Sequence, residues 1–194
     1  MKQKHDKEKV LQTGLNIFCS KGYNSLGIDE ICKSTGMTKG AFYHAFKSKE
    51  NFPLESISAY GEFTVAYLTS KLSNKSEKAI DRLRELYDSM FQYQPKIKYS
   101  GCMINNMMSE LGGINRLVGD ATATEFTHFI ETIEPSVVEA QKDGDLNPNI
   151  DSNSMAELLH STFYGALTRA KGLQDFTKGK ETMEILINSL TKYK

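Results

Sequence analysis

Apolar residues recur at spacings of three and four along nearly the whole of this 194-residue chain, and no long alternation of apolar and polar positions interrupts them. Leu11, Leu15 and Phe18 fall at i, i+4 and i+7, and Ile28, Ile31 and Cys32 at i, i+3 and i+4. Such spacing lays one apolar stripe along a helix and provides no half-buried face for a strand, so the expected fold class is all-α. Ser48 to Ser73 carries Leu54, Ile57, Gly61, Thr64 and Leu68 on one stripe; Glu77 to Gln94 carries Ile80, Leu83, Tyr87, Met90 and Phe91. Further helices are predicted over 102–111, 114–142 with an interruption at Pro135, 154–171 and 178–193, about nine in all. The stretch "SMAE" at Ser154 to Glu157 has the spacing of a capping box, and Gly144 is placed to end the helix before it. Links fall at 74–76, 96–101 and 143–153, with no internal repeat.

A chain of this length buries enough surface to fold without staples. Its three cysteines, Cys19, Cys32 and Cys102, are an odd number without the paired spacings of a disulfide framework or a zinc site, which points to a reducing compartment, no metal and no cofactor. The opening "MKQKHDKEKV" has no apolar run behind it, and no eighteen apolar residues occur together, so neither a signal peptide nor a membrane span is expected and the location is read as cytoplasmic. Lysines plus arginines equal aspartates plus glutamates at 24 each, yet the first 50 residues hold nine lysines against five acids. The remainder is correspondingly acidic, an asymmetry that fits a polyanion at one end as well as it fits chance clustering.

At that basic end the chain reads "MTKGAFYHAF" over residues 37–46. Gly22 and Gly36 separate three short helices, the arrangement that presents a recognition helix to a DNA groove. Thr38 stands where an N-cap is wanted, and Phe42, Ala45 and Phe46 share the face that must be buried. Lys39, Gly40, Tyr43, His44 and Lys47 fall on or near the opposite face. There they either meet phosphates, with Gly40 permitting close approach, or simply lie in solvent.

The segment "GYNSLGIDEICKSTGMTKGAFYHAFKSKEN" resembles the DNA-binding head of the TetR (tetracycline-repressor-like) family of bacterial transcriptional regulators, and the number and order of helices extend the likeness over the chain. The resemblance implies a helix-turn-helix domain over 1–50, an effector-binding and dimerisation domain over 51–194, and a DNA-binding regulator, usually a repressor, rather than an enzyme. It implies contacts to DNA from Thr38, Lys39, Tyr43, His44 and Lys49, with Gly40 and Ala41 closest to the bases. Where many relatives open the second helix with paired threonines this chain has Leu26 and Gly27, so Ser25 is expected to supply the missing hydroxyl beside Gly27. Pro53, near the start of the fourth helix, is expected to kink it if that helix begins at Ser48.

The family likeness further implies a homodimer paired through the last two helices, reading a palindromic operator, with a small effector bound in the body. Leu158, Leu159, Phe163 and Leu167 on one helix and Met183, Leu186, Ile187 and Leu190 on the next suit either that interface or an internal core. Tyr60, Phe63, Tyr67, Tyr87, Met90, Phe91, Met103, Met107, Phe126 and Phe163 line a pocket or fill a solid interior. "SGCMINNMMSELGG" over 100–113 resembles the signature of the branch around the N-ethylmaleimide and acrylate-responsive repressors, in which a cysteine senses electrophiles; Gly101, Cys102, Asn106 and Glu110 meet it, with Lys171 a further candidate. Cys102 at a helix start is poised for thiolate character, or is a small buried hydrophobe. Two rivals remain at this stage: a regulator with a reversible apolar ligand, and a cysteine-dependent enzyme acting on electrophiles.

Overall fold

The computed structural model describes residues 7–21 and 27–191. Among them run nine α-helices: α1 Lys7–Lys21, α2 Ile28–Thr35, α3 Lys39–Phe46, α4 Asn51–Leu72, α5 Ala79–Tyr93, α6 Met103–Leu111, α7 Arg116–Lys142, α8 Ser152–Leu173 and α9 Thr177–Leu190, with a 3-10 turn over Gln94–Ile97 after α5. No strand occurs among the described residues, only an isolated bridge between Leu146 and Thr191.

The chain forms two compact units: one reaches Phe63 and resumes over Cys102–Phe126, the other comprises Thr64–Gly101 and the residues from Thr127 onward. In the first, Phe42 and Phe46 of α3 meet Phe52 of α4 with ring centroids 5.4 and 4.8 Å from it. α1 accommodates that ring only because residue 14 is glycine: a Cβ there would come within 2.6 Å of Phe52 Cε1. Lys7 of α1 also pairs with Glu55 of α4 at 2.6 Å. Gly36 closes α2 at φ +69°, a left-handed conformation that glycine adopts without strain. Met37 and Ile31 complete this small core, and α6 packs beside α1.

In the second unit α5 and α8 each pack on α9. Tyr87 and Phe91 of α5 interlock with Phe163 of α8 at 5.3 and 5.0 Å, and His160 lies between Phe129, 5.9 Å away, and Tyr164, 4.8 Å away. Arg82, fully buried on α5, donates to the carbonyls of Asn74 and Glu77 at 3.0 and 2.7 Å and to Glu139 of α7 at 2.7 Å, binding the loop before α5 to α7.

Three expectations about the helices are corrected. α4 starts at Asn51, where the Ser48 hydroxyl accepts from the Asn51 N–H at 3.0 Å, so Pro53 falls in the first turn, where the missing N–H has no intrahelical acceptor to lose and no kink is required. α8 starts earlier than "SMAE" suggests: Asp151 is its N-cap, accepting from the Ser154 N–H at 2.8 Å. α7 continues through Pro135. Gly144 does follow the end of α7, at φ +78°. Of the α1 stripe, Leu11 is buried, while the side chains of Leu15 and Phe18 lie outside the described residues.

Candidate nucleic-acid interface

α3 is built as a two-sided strip. Thr38, extended at φ −82° and ψ 154°, caps it by accepting from the Ala41 N–H at 3.2 Å, which fixes where the helix begins. One side holds Phe42 and Phe46, both fully buried; the other exposes Lys39, Gly40, Tyr43, His44 and Lys47. Tyr43 stands edge-on to Phe42 at 5.7 Å and is still 47% exposed, so its ring is braced yet remains open to solvent. Lys47 ends the helix at φ +68°, an uncommon conformation for a residue with a side chain, secured by its N–H to the Tyr43 carbonyl at 3.0 Å and its ammonium to the His44 carbonyl at 3.2 Å. Thr38 and Lys49 are exposed beside this strip and Ala41 is half-buried within it. Gly27 caps α2 without a side-chain bond; Ser25 lies outside the described residues.

Gly40 has nothing of its own chain within 4 Å of where a Cβ would stand. An exposed helical glycine lowers helix stability by about 1 kcal/mol relative to alanine, and no internal packing here explains it.

The strip is not uniformly basic. Lys39 Nζ pairs with Asp29 Oδ1 of α2 at 2.7 Å, and the hydrogen bond to that carboxylate holds the ammonium pKa above its ordinary value. Asp29 is an acid in the first turn of α2; its partner stands ten positions on, across a turn, and no periodicity announces the pairing.

Cys102 is the N-cap of α6, with Asn106 N–H bonded to its carbonyl at 3.0 Å. Its side chain is 7% exposed, and the Tyr60 hydroxyl donates to its Sγ at 3.5 Å. That contact joins positions 42 apart, invisible to any local pattern. Glu110 is exposed toward the far end of α6, and Lys171 is exposed near the end of α8. Cys32 is half-buried on α2, its thiol pKa pushed up first by burial and then by the Asp29 charge; the side chain of Cys19 is outside the described residues.

The residues expected to line a pocket divide between the two units. In the first, Met103 and Met107 are buried, Tyr60 and Phe126 half-buried, and Phe63 is 72% exposed. In the second, Tyr87, Phe91 and Phe163 form the interlocked aromatic core, Met90 is half-buried, and Tyr67 shares a 2.9 Å hydrogen bond with Ser89. Burial keeps the Tyr87 hydroxyl protonated well beyond neutral pH, and it finds no hydrogen-bond partner among the described residues. Of the residues expected at a dimer interface or in an internal core, Leu159, Phe163, Leu167, Met183, Ile187 and Leu190 are buried within the single chain. Leu158, 43% exposed, and half-buried Leu186 retain surface, as does Ile185 at 71%. No described helix is long and apolar enough to cross a membrane.

Residues 10–55 match the family profile described as bacterial regulatory proteins, tetR family, and residues 79–186 match the tetracyclin repressor-like C-terminal domain. The transcriptional regulator AcuR of Cereibacter sphaeroides is 30% identical over 171 residues, 84% of this chain and 75% of that protein. The HTH-type transcriptional repressor NemR of Escherichia coli is 24% identical over 174 residues, 89% and 87% of the two chains. Among solved structures, regulatory protein TetR from Rhodobacter sphaeroides superposes with a TM-score of 0.86 at 26% identity, covering 93% of this chain and 96% of that one. The reduced form of E. coli NemR superposes at 0.81 with 22% identity over 95% of each chain, a likeness of fold.

Proposed function

Since this chain belongs to the TetR family of bacterial regulatory proteins, we propose that its outward α3 strip is the surface by which it binds operator DNA as a homodimeric repressor. That it is a DNA-binding transcriptional regulator rather than an enzyme follows from the family itself. The observation that carries the placement of the DNA is the division of α3, with two phenylalanines at 0% exposure behind it and Lys39, Gly40, Tyr43 and His44 in front. In this reading Lys39 and Lys49 meet phosphates, Thr38, Tyr43 and His44 supply hydrogen bonds, and the bare backbone at Gly40, with Ala41 beside it and Gly27 at the neighbouring helix end, lets bases approach. Ser25 belongs to the same proposal. Pairing uses the surface left by α8 and α9 at Leu158, Ile185 and Leu186, and sets two heads on a palindrome.

The effector reading centres on Cys102. The Cys102 thiol stands at the N-cap of α6 with the Tyr60 hydroxyl donating to its sulfur, which fixes the sulfur at the start of that helix. With a maleimide the Cys102 sulfur bonds to one carbon of the activated double bond and a proton ends on the other, which adds bulk to a site with 7% exposure and biases the body toward a different packing. Asn106, Glu110 and Lys171 complete this proposal as its secondary residues. The second reading, a reversible ligand, is favoured by the buried Tyr87 hydroxyl, which suits an uncharged molecule that accepts a hydrogen bond.

One assay separates these readings. A duplex selected from a random library by the wild-type protein is followed by fluorescence anisotropy as N-ethylmaleimide is added to wild type and to Cys102→Ser. Wild type is expected to bind and release; Cys102→Ser is expected to bind as tightly and to stay bound, although Cys32 is present in both. Release of Cys102→Ser by the reagent rejects Cys102 as the sensor. Its release instead by uncharged carbonyl compounds supports the reversible ligand, and a library that yields no preferred duplex counts against operator binding.

A further inference from the structure

We infer that Asp29 is a selectivity residue of the DNA-binding head: by pairing with Lys39 it weakens attraction to arbitrary DNA while pre-orienting Lys39 for a correctly seated site. The inference rests on the α3 strip being the DNA face.

The pair is short, 2.7 Å, yet its side chains are 64% and 78% exposed. An ion pair so solvated adds little to folding. Part of its placement has a local reason, since α3 has no acid in its first turn and its first residue is a lysine, unfavourable at the positive end of a helix. Asp29 answers that charge from the adjacent helix. The same carboxylate then stands beside a cation proposed to meet a phosphate.

Two docking modes feel this differently. Sequence-independent binding is held almost wholly by exchange of cations between phosphates and the protein, and a lysine already neutralised by a carboxylate contributes less to it, while the carboxylate is itself repelled. A seated head places one phosphate at a fixed point. There an ammonium with three donors can keep Asp29 behind it and bond the phosphate in front, with its long side chain already ordered before contact. Repulsion acts in both modes and pre-ordering only in the second, so removing Asp29 should help arbitrary DNA more than selected DNA.

The test compares wild type, Asp29→Asn, Lys39→Gln and the double variant on a random-sequence duplex and on the duplex selected by wild type, over a range of potassium chloride concentrations. Asp29→Asn is expected to tighten random-duplex binding, up to about eightfold near 0.1 M salt, and to steepen the log K against log salt slope by about 0.9 per head, the worth of one further released cation. The ratio of selected to random affinity should fall by about threefold or more. In the Lys39→Gln background Asp29→Asn should no longer steepen the slope. Equal tightening on both duplexes, or the same steepening without Lys39, overturns the proposal. Lys39→Gln without effect on either duplex overturns instead the DNA face on which it stands. Thermal melts of each variant report any change in α2 separately, since a mere loss of helix stability does not steepen a salt slope.

Discussion

His160 is fully buried among Tyr87, Phe129, Phe163 and Tyr164, and burial lowers its pKa from 6.5 to about 3. The unfolded chain therefore binds a proton below about pH 6.5 that the folded chain does not, so stability is unaffected above that value and declines as pH falls through it toward 3. Between pH 7.5 and 5.5 this residue should remove about 1 kcal/mol from the unfolding free energy, and urea titrations of His160→Leu should lack that increment. An equal loss in wild type and variant would place the titration elsewhere. The sequence offers four histidines without distinguishing them; His160 lies on the α8 stripe beside Leu159 and Phe163, but nothing local predicts that four aromatic rings surround it. Asp29 and the Tyr60 to Cys102 bond were hidden for a related reason, because side chains distant in sequence meet only once helices are placed.

At the scale of elements, periodicity located the longer helices and the motif located α3, while the errors lay at helix starts and at Pro135, through which α7 continues. Helix starts depend on which oxygen reaches which N–H: Ser48 and Asp151 take those roles, and neither is marked by the apolar pattern. The close approach of α4 and α7 was also unmarked. Gly61, buried midway along α4, stands so near Glu125 that a Cβ there would overlap its carboxylate, with the Glu125 Cγ only 2.8 Å away. Glycine was read as one more position on the stripe, whereas its missing side chain is what admits α7. Helix propensity alone would make Gly61→Ala stabilising by about 1 kcal/mol. The overlap with a carboxylate 9% exposed is expected to win, lowering stability by about 1 to 3 kcal/mol in denaturant titrations. A raised midpoint would show that Glu125 moves aside freely.

For the molecule as a whole, the family and the all-helical architecture were readable because one short motif and a chain-long period agreed. The role of α8 and α9 was not, since their stripes look alike whether they face a partner or the chain's own core, and six of the eight residues that suited either are buried within the single chain. In the proposed regulation a dimer has two states with different head spacing, and an effector favouring the non-binding state by about 3 to 5 kcal/mol would release most of the DNA. All of this presupposes that α3 presents its outward strip to DNA. The direct measurement is anisotropy of labelled DNA from upstream of the chain's own gene, titrated with wild type and with Lys39→Ala and Tyr43→Ala beside a random-sequence control. The upstream duplex should bind two wild-type chains far more tightly than the control. Tyr43→Ala should lose that preference, and Lys39→Ala should weaken both duplexes and lower the salt slope by at most about 1 per head. Unchanged binding in both variants, with the fold intact, would contradict the account.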